Sequence, residues 1–324
     1  MKKVYIYPSA KGINSYKKNI IDSFRNSDDY TVTNHRGLGG DLLNLYNNLD
    51  ADIYIFSWPE NLCVRKVGVL KFVYLAFFIC IFRAFNKKVV WIMHNKHPHR
   101  GNNWFTKMGM SFMANFSSVI VTHSSEGLSF LENQFGKRNG YYIPHPVYST
   151  EIISQEQEET IWDYIIWGTI NQRKKILTFL EFINGRSFFA TKRILLCGNC
   201  PDTLYDKKIR QTKGSNVTYL NSYIEDHELK DMIKKSKCIL FTYVNDSVLS
   251  SGALVYSLNF CKPIIGPNIG AFKDLDKIVS LYNNFEEIEN IELKTNNSFI
   301  EQYIRDNQWK DFPGKIGNIL FKTK

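Results

Sequence analysis

The stretch Val89-Val90-Trp91-Ile92-Met93-His94-Asn95-Lys96-His97-Pro98-His99 constrains the fold more than any other. Its apolar, β-branched first half reads as a strand buried on both faces, and such strands belong to parallel sheets covered by helices. The run then breaks off into imidazoles and an asparagine. A strand places these at its carboxyl end, where open α/β sheets hold their ligands. Imidazoles there predict chemistry or recognition of a polar molecule.

The rest of the first half alternates in the same way. Strands are predicted over 3–7, 30–34, 52–56, 89–93 and 118–122, with a loop and helix over 12–24 and helices over 42–49, 105–116 and 126–135. A polar, acidic stretch over 149–160, with Glu151, Glu156, Glu158 and Glu159, reads as a linker. Strands then recur over 164–167, 194–197, 217–220, 238–241 and 263–265, separated by helices over 175–184, 225–235 and 249–259. Helices over 298–307 and 309–321 close the chain. The expected class is α/β: two Rossmann-like, doubly wound parallel-sheet domains, over 1–150 and 160–300, facing across a polar cleft.

With 324 residues, 44% of them hydrophobic, the chain has material for two such cores. The formal net charge of +10 favours an anionic partner such as a phosphate ligand, an anionic lipid surface or nucleic acid. No helix-turn-helix, RNP or zinc module accompanies that charge, so nucleic acid is not expected. The cysteines are scattered, and Cys197-Gly-Asn-Cys200 has no second pair at zinc spacing. The chain enters its first strand directly after Met1-Lys2-Lys3, so no signal peptide is expected and the reducing cytosol is the expected compartment.

The apolar run Phe72–Phe82 within 67–85 is shorter than the ~20 residues that span a bilayer. It reads as a buried helix, as a helix lying in a membrane surface, or as both. Arg65, Lys66, Lys71, Arg83, Lys87 and Lys88 would then meet anionic lipid.

Several local patterns carry chemistry. Ser250-Ser251-Gly252 follows a predicted strand and opens a predicted helix, so hydroxyls and close backbone N–H groups form a cradle for phosphate or a plain helix cap. Gly168 and the basic pair Arg173-Lys174 follow another strand and suit a phosphate in the same way. Trp58-Pro59-Glu60 ends the third strand, with an indole to stack on a sugar and a carboxylate to bind hydroxyls or take a proton. His94, His97 and His99 lack the helical spacing of a zinc site and suit hydroxyl recognition or general base work better. Tyr223, after the strand over 217–220, is a candidate to stack on a nucleobase. Asp50 and Asp52 precede a strand rather than ending one, which argues against a metal-binding pair.

Taken together these residues resemble the GT-B glycosyltransferases, and in particular the family 4-like enzymes of bacterial capsule and exopolysaccharide synthesis. The matching elements are His94-Asn95 with Pro98-His99, Trp58-Pro59-Glu60, Gly12 with Asn14-Ser15-Tyr16, and Gly168 with Arg173 and Lys174. The resemblance spans nearly the whole chain. It departs where the family carries two glutamates eight positions apart: here those positions are Val248 and Tyr256, and the second usually holds the donor ribose.

The resemblance implies transfer of a sugar from a nucleoside diphosphate sugar to a lipid-linked or oligosaccharide acceptor, at the inner face of the cytoplasmic membrane. The domain over 160–300 would bind the donor through Gly168, Arg173, Lys174, Tyr223, Ser250, Ser251, Gly252 and Tyr256. Cations and backbone dipoles there would stabilise the leaving diphosphate without a divalent metal or other cofactor. The domain over 1–150 would bind the acceptor through Gly12, Asn14, Trp58, Asn95 and His99, and the segment 301–324 would cross back onto it. An inverting reaction needs a base, for which His94, Glu60 and His97 are the candidates; a retaining one lets the donor phosphate take the proton. The rival is a non-catalytic subunit that binds a nucleotide sugar.

Overall fold

The computed structural model describes the chain except for residues 10–14, 36–40, 65, 98–102, 138, 154–158, 244–247 and 322–324. Packing divides it into two units: Met1–Tyr148 with Ser247–Ser250 and Asn307–Lys324, and Ser149–Asp246 with Ser251–Asp306.

Unit 1 runs β1 (Lys2–Tyr7), α1 (Ser15–Arg25), β2 (Tyr30–Val32), β3 (Ile53–Ser57), α2 (Lys66–Ala84), β4 (Lys88–Met93), α3 (Trp104–Phe116), β5 (Val119–Thr122), α4 (Ser125–Phe135) and β6 (Gly140–Tyr142). Its six strands are all parallel, in the order β2-β1-β3-β4-β5-β6. The order in which strands are added to the sheet reverses between β1 and β3, which opens a crevice at their carboxyl ends.

Alternation along the strands sorts the two faces. Tyr54, Phe56, Trp91 and Met93 meet α2 and α3 on one face. Ile53, Ile55, Val90 and Ile92 meet α1 on the other, together with Phe312 and Ile316 of the final helix, Phe312–Phe321. The tail therefore supplies part of unit 1's core.

Helix α2 has two characters. Phe72, Leu75, Ile79 and Phe82 are buried, each side chain contributing about 1.5–3 kcal/mol by leaving water, and Phe82 stacks on Tyr54 at 3.6 Å. Val67, Leu70, Val73 and Phe77 on its outer stripe are exposed. The window Val67–Ala84 is long and apolar enough to cross a membrane by length and composition, yet its inner stripe is committed to the core and 28% of the window is buried.

Unit 2 runs β7 (Trp162–Trp167), α5 (Ile176–Ile183), α6 (Ser187–Ala190), β8 (Ile194–Cys197), α7 (Thr203–Thr212), β9 (Val217–Leu220), α8 (Asp226–Lys234), β10 (Ser236–Leu240), α9 (Gly252–Leu258), β11 (Ile264–Pro267), α10 (Gly270–Asp274), β12 (Val279–Tyr282) and α11 (Asn297–Asp306). The helix Phe312–Phe321 of unit 1 follows as α12. The second sheet is again six parallel strands, ordered β12-β11-β10-β7-β8-β9, with its reversal between β7 and β10.

Several elements escape the sequence reading, among them the short helices α6 and α10. Helix α7 buries only Tyr205 and Ile209, so its apolar periodicity is faint, although Asp202 caps it by accepting from the amides of Leu204 and Tyr205. Strands β6 and β12 are short. The helix expected over 249–259 begins instead at Gly252, because Leu249 is fully buried in unit 1's core and Ser251 takes the N-cap.

Candidate functional site

In unit 1 the sequence-predicted His94 lies immediately after β4 and is almost fully buried. The indole of Trp58, from the end of β3, stacks on its imidazole at 4.1 Å and 16°. Tyr16 of α1 meets the same imidazole edge-on at 4.7 Å, and also packs against Trp58, His123, His145 and Trp309. Trp58 sits at φ 55°, a left-handed conformation costing a bulky side chain ~1–3 kcal/mol, which the ring contacts offset.

Behind His94 the hydrogen bonds fix protonation. His123 Nδ1 lies 2.7 Å from the Ile143 carbonyl, which only accepts, so Nδ1 carries the proton. Nε2 then accepts from the Tyr16 hydroxyl at 2.8 Å. Burial pushes His123 down to about 3, helped by neighbouring His145, and burial pushes His145 down to about 4. Both are neutral supports.

Asn95 is buried and pairs in an antiparallel bridge with Val248, and Ser250 Oγ lies 3.4 Å from His94 Nδ1. Ser250 thus meets His94, a contact the sequence did not indicate, on a segment that the buried Leu249 anchors in unit 1.

The structure places Glu60 and His97 away from this cluster. Glu60 begins the 3-10 turn Pro59–Val64 and is fully buried. Burial pushes its carboxyl up to about 7, against smaller lowering effects from its own backbone amide and the Trp91 indole. Trp91 belongs to the opposite face of the sheet from Ile92, whose face His94 continues. His97 packs edge-on against Phe130 of α4. Gly12, Asn14 and His99 lie outside the described residues. Among the described residues no cluster of three His, Cys, Asp or Glu is arranged for a metal.

In unit 2 the residues gather at the carboxyl ends of β7, β8 and β10, beside the reversal of strand order. Gly168 holds φ 91° and Gly198 φ 141°; a Cβ on Gly198 would stand 2.3 Å from the Gly168 carbonyl oxygen, so only glycines let these two strand ends approach. Lys174 is 8% exposed, and its ammonium donates to the Trp167 carbonyl at 2.7 Å. No carboxylate pairs with it among the described residues, and burial pushes it down to about 8 against a small opposing effect of Cys197. Burial also lowers Arg173, with Tyr243 nearby opposing.

Ser251 caps α9, its Oγ accepting from the Leu254 amide at 3.2 Å, and Gly252 starts the helix. The Tyr256 ring packs edge-on against Trp167 at 5.3 Å. Its hydroxyl donates to Asp226 at the start of α8. Tyr223 is 60% exposed on the loop after β9 and has no described contact with this group. Sequence reading missed His123, His145 and Tyr243. The signal for His123 was its place just past a strand, the same signal that marks His94.

The two six-stranded parallel sheets, each wound by helices on both faces, define a GT-B fold. No family model matches the sequence, and no curated protein matches it. Solved structures share the fold over the whole chain. The lipopolysaccharide outer core galactosyltransferase WaaB, in its apo form, is 14% identical with a TM-score of 0.63, covering 99% of each chain. Anabaena HepE in complex with UDP-glucose is 11% identical with a TM-score of 0.61, covering 99% of this chain and 97% of that one. A putative UDP-N-acetylglucosamine 2-epimerase from Listeria monocytogenes is 7% identical with a TM-score of 0.50, covering 100% and 97%.

Proposed function

We propose that this chain is a glycosyltransferase that takes a sugar from a nucleoside diphosphate sugar and passes it to a lipid-linked saccharide acceptor in bacterial surface polysaccharide synthesis. One observation carries the donor half: the buried ammonium of Lys174, unmatched by a carboxylate among the described residues, at a glycine-lined strand end where the sheet order reverses. A buried cation of that kind is stabilised by an anion, and a diphosphate brings one. Arg173 and Lys174 would then offset the charge that develops on the leaving diphosphate, with no divalent metal needed. The HepE complex makes UDP the first nucleotide to try.

In unit 1, His94 is the group proposed to meet the sugar or the reacting hydroxyl, with Trp58 as its stacking platform. The outer stripe of α2, with Lys71 and Arg83 beside it, supports a place on the inner membrane surface. The fold is also that of an epimerase, and the two activities separate cleanly: an epimerase changes the nucleotide sugar alone, whereas a transferase releases nucleotide only when an acceptor takes the sugar.

The test is a thermal-shift panel of UDP, GDP, ADP and CMP and their sugars, repeated with Arg173→Ala and Lys174→Met. Stabilisation by one nucleoside diphosphate, lost in both variants, is the expected result. No shift with any nucleotide in folded protein would overturn the donor site.

A further inference from the structure

Apart from both clusters above, unit 1 carries a groove of about 660 Å3 between α3, α4 and the chain leaving β4, a size typical of small-molecule sites. Helix α3 lines it with Trp104, Lys107, Met108, Ser111, Phe112 and Asn115, spaced three and four apart and so forming a single stripe. The helix's other stripe, including Thr106, Met110 and Met113, is already buried. A surface helix with one face on the core ordinarily turns polar side chains outward. Here the second face presents an indole, a thioether and a phenyl, with Trp104 68% exposed and Met108 39% exposed. Phe130 and Phe135 of α4 complete the apolar lining.

The shape and the charge of this groove select its occupant. From Trp104 to Asn115 the stripe runs for about 16 Å at 1.5 Å per residue, so it fits a linear apolar chain better than a compact ring. Methionine and phenylalanine walls adapt to such a chain. Polar groups share the lining: Ser111, Asn115 and Gln134, the Lys107 ammonium, which has no ion pair among the described residues, and the His97 imidazole. Lys96 also lines the groove, but its charge is matched by Glu126. Lys107 and His97 suit an anionic head group.

His97 follows His94 by three residues, so both belong to one short stretch after β4, their Cα atoms at most about 11 Å apart. We propose that this groove binds a lipid phosphate, its chain along α3 and its phosphate at Lys107 and His97, and that this is the carrier of the acceptor sugar. The last clause rests on the transferase reading above; the binding of a lipid phosphate does not.

The experiment uses the full chain and isothermal calorimetry with dodecyl phosphate below its micelle concentration, with dodecyl maltoside and inorganic phosphate as controls. The variants are Lys107→Glu and Met108→Asp, both at exposed positions. Saturable binding of dodecyl phosphate, absent for both controls at equal concentration and weakened at least tenfold in each variant, is expected. Equal binding of dodecyl maltoside would reduce the groove to an apolar patch, and equal binding of inorganic phosphate would reduce it to an anion site; either overturns the proposal. Unchanged binding in the variants overturns it too. The nucleotide thermal shift is read on the same samples. Dodecyl phosphate binding without any nucleotide shift would uphold the groove and sink the donor reading alone.

Discussion

Trp58 and His94 lie ring on ring, 4.1 Å apart, and the tryptophan has a left-handed backbone conformation. Replacing the imidazole should separate binding from transfer. His94→Ala is expected to lower sugar transfer at least about 100-fold, in keeping with loss of a general base or a positioned donor, while leaving the nucleotide thermal shift unchanged. At Trp58 the order of stabilities is the informative quantity. Alanine keeps the strained φ and loses the stack, whereas glycine loses the stack and relieves the strain. Urea unfolding should therefore rank wild type above Trp58→Gly, and Trp58→Gly above Trp58→Ala; the reverse order of the two variants would show that the conformation is not strained.

Lys174 should trade stability for affinity. Its ammonium is buried and no carboxylate among the described residues offsets it. Lys174→Met puts a flexible apolar side chain in the same space, so the nucleotide-free melting temperature should hold or rise. The shift produced by a nucleoside diphosphate should shrink by the equivalent of at least a tenfold loss in affinity. A variant that melts lower and binds as before would make Lys174 a structural residue only.

The paired glycines allow a graded test. Gly168→Ala meets the Lys174 ammonium at 3.1 Å, the movable end of a side chain, in addition to the penalty of φ 91°. Gly198→Ala meets a backbone oxygen at 2.3 Å, which cannot step aside. Denaturant titration should show Gly198→Ala as the more destabilised, and both should reduce nucleotide binding. Equal stability of the two would mean that the strand ends separate freely.

Three buried groups give stability a pH dependence of definite sign. Glu60 rises from 4.5 to about 7 on folding, so between those values the unfolded chain sheds a proton that the folded one keeps. Stability from this group is full below pH 4.5 and lost as pH rises toward 7, by at most about 1.4 kcal/mol per unit. His123 and His145 act oppositely. They fall from 6.5 to about 3 and about 4, so their contribution is full above pH 6.5 and lost on acidification. Two histidines outweigh one glutamate, and wild-type stability should climb from pH 4.5 to 6.5. Glu60→Gln should steepen that climb and remove the decline between 6.5 and 7. An unaltered profile in urea titrations would place the Glu60 carboxyl in contact with water.

Much of this was legible in the chain because buried parallel strands are written as apolar runs. Ile194–Cys197 and Val217–Leu220 were read with their observed limits. Helix α7 was not, since a helix that buries two side chains per ten residues leaves little periodicity to read. At the sites, spacing along the chain located His94 and the Gly168–Lys174 turn, both of which are local features of one strand end. It did not show that Ser250 meets His94, because its neighbour Leu249 packs into a core assembled from distant sequence. Nor did it show that Glu60, adjacent in sequence to Trp58 by way of one proline, lies on the other side of a sheet. That depends on the direction of a 3-10 turn, which residue types do not encode.

The dependence of unit 1 on Phe312 and Ile316 has a consequence during synthesis. A ribosome releases residues 1–148 long before it makes α12. At ~5–20 residues per second, the interval is roughly 10 to 35 seconds. Throughout it the nascent sheet has α1 on one side but lacks the helix that finishes that covering, so the first half of the polypeptide is the last to be completed as a folded body.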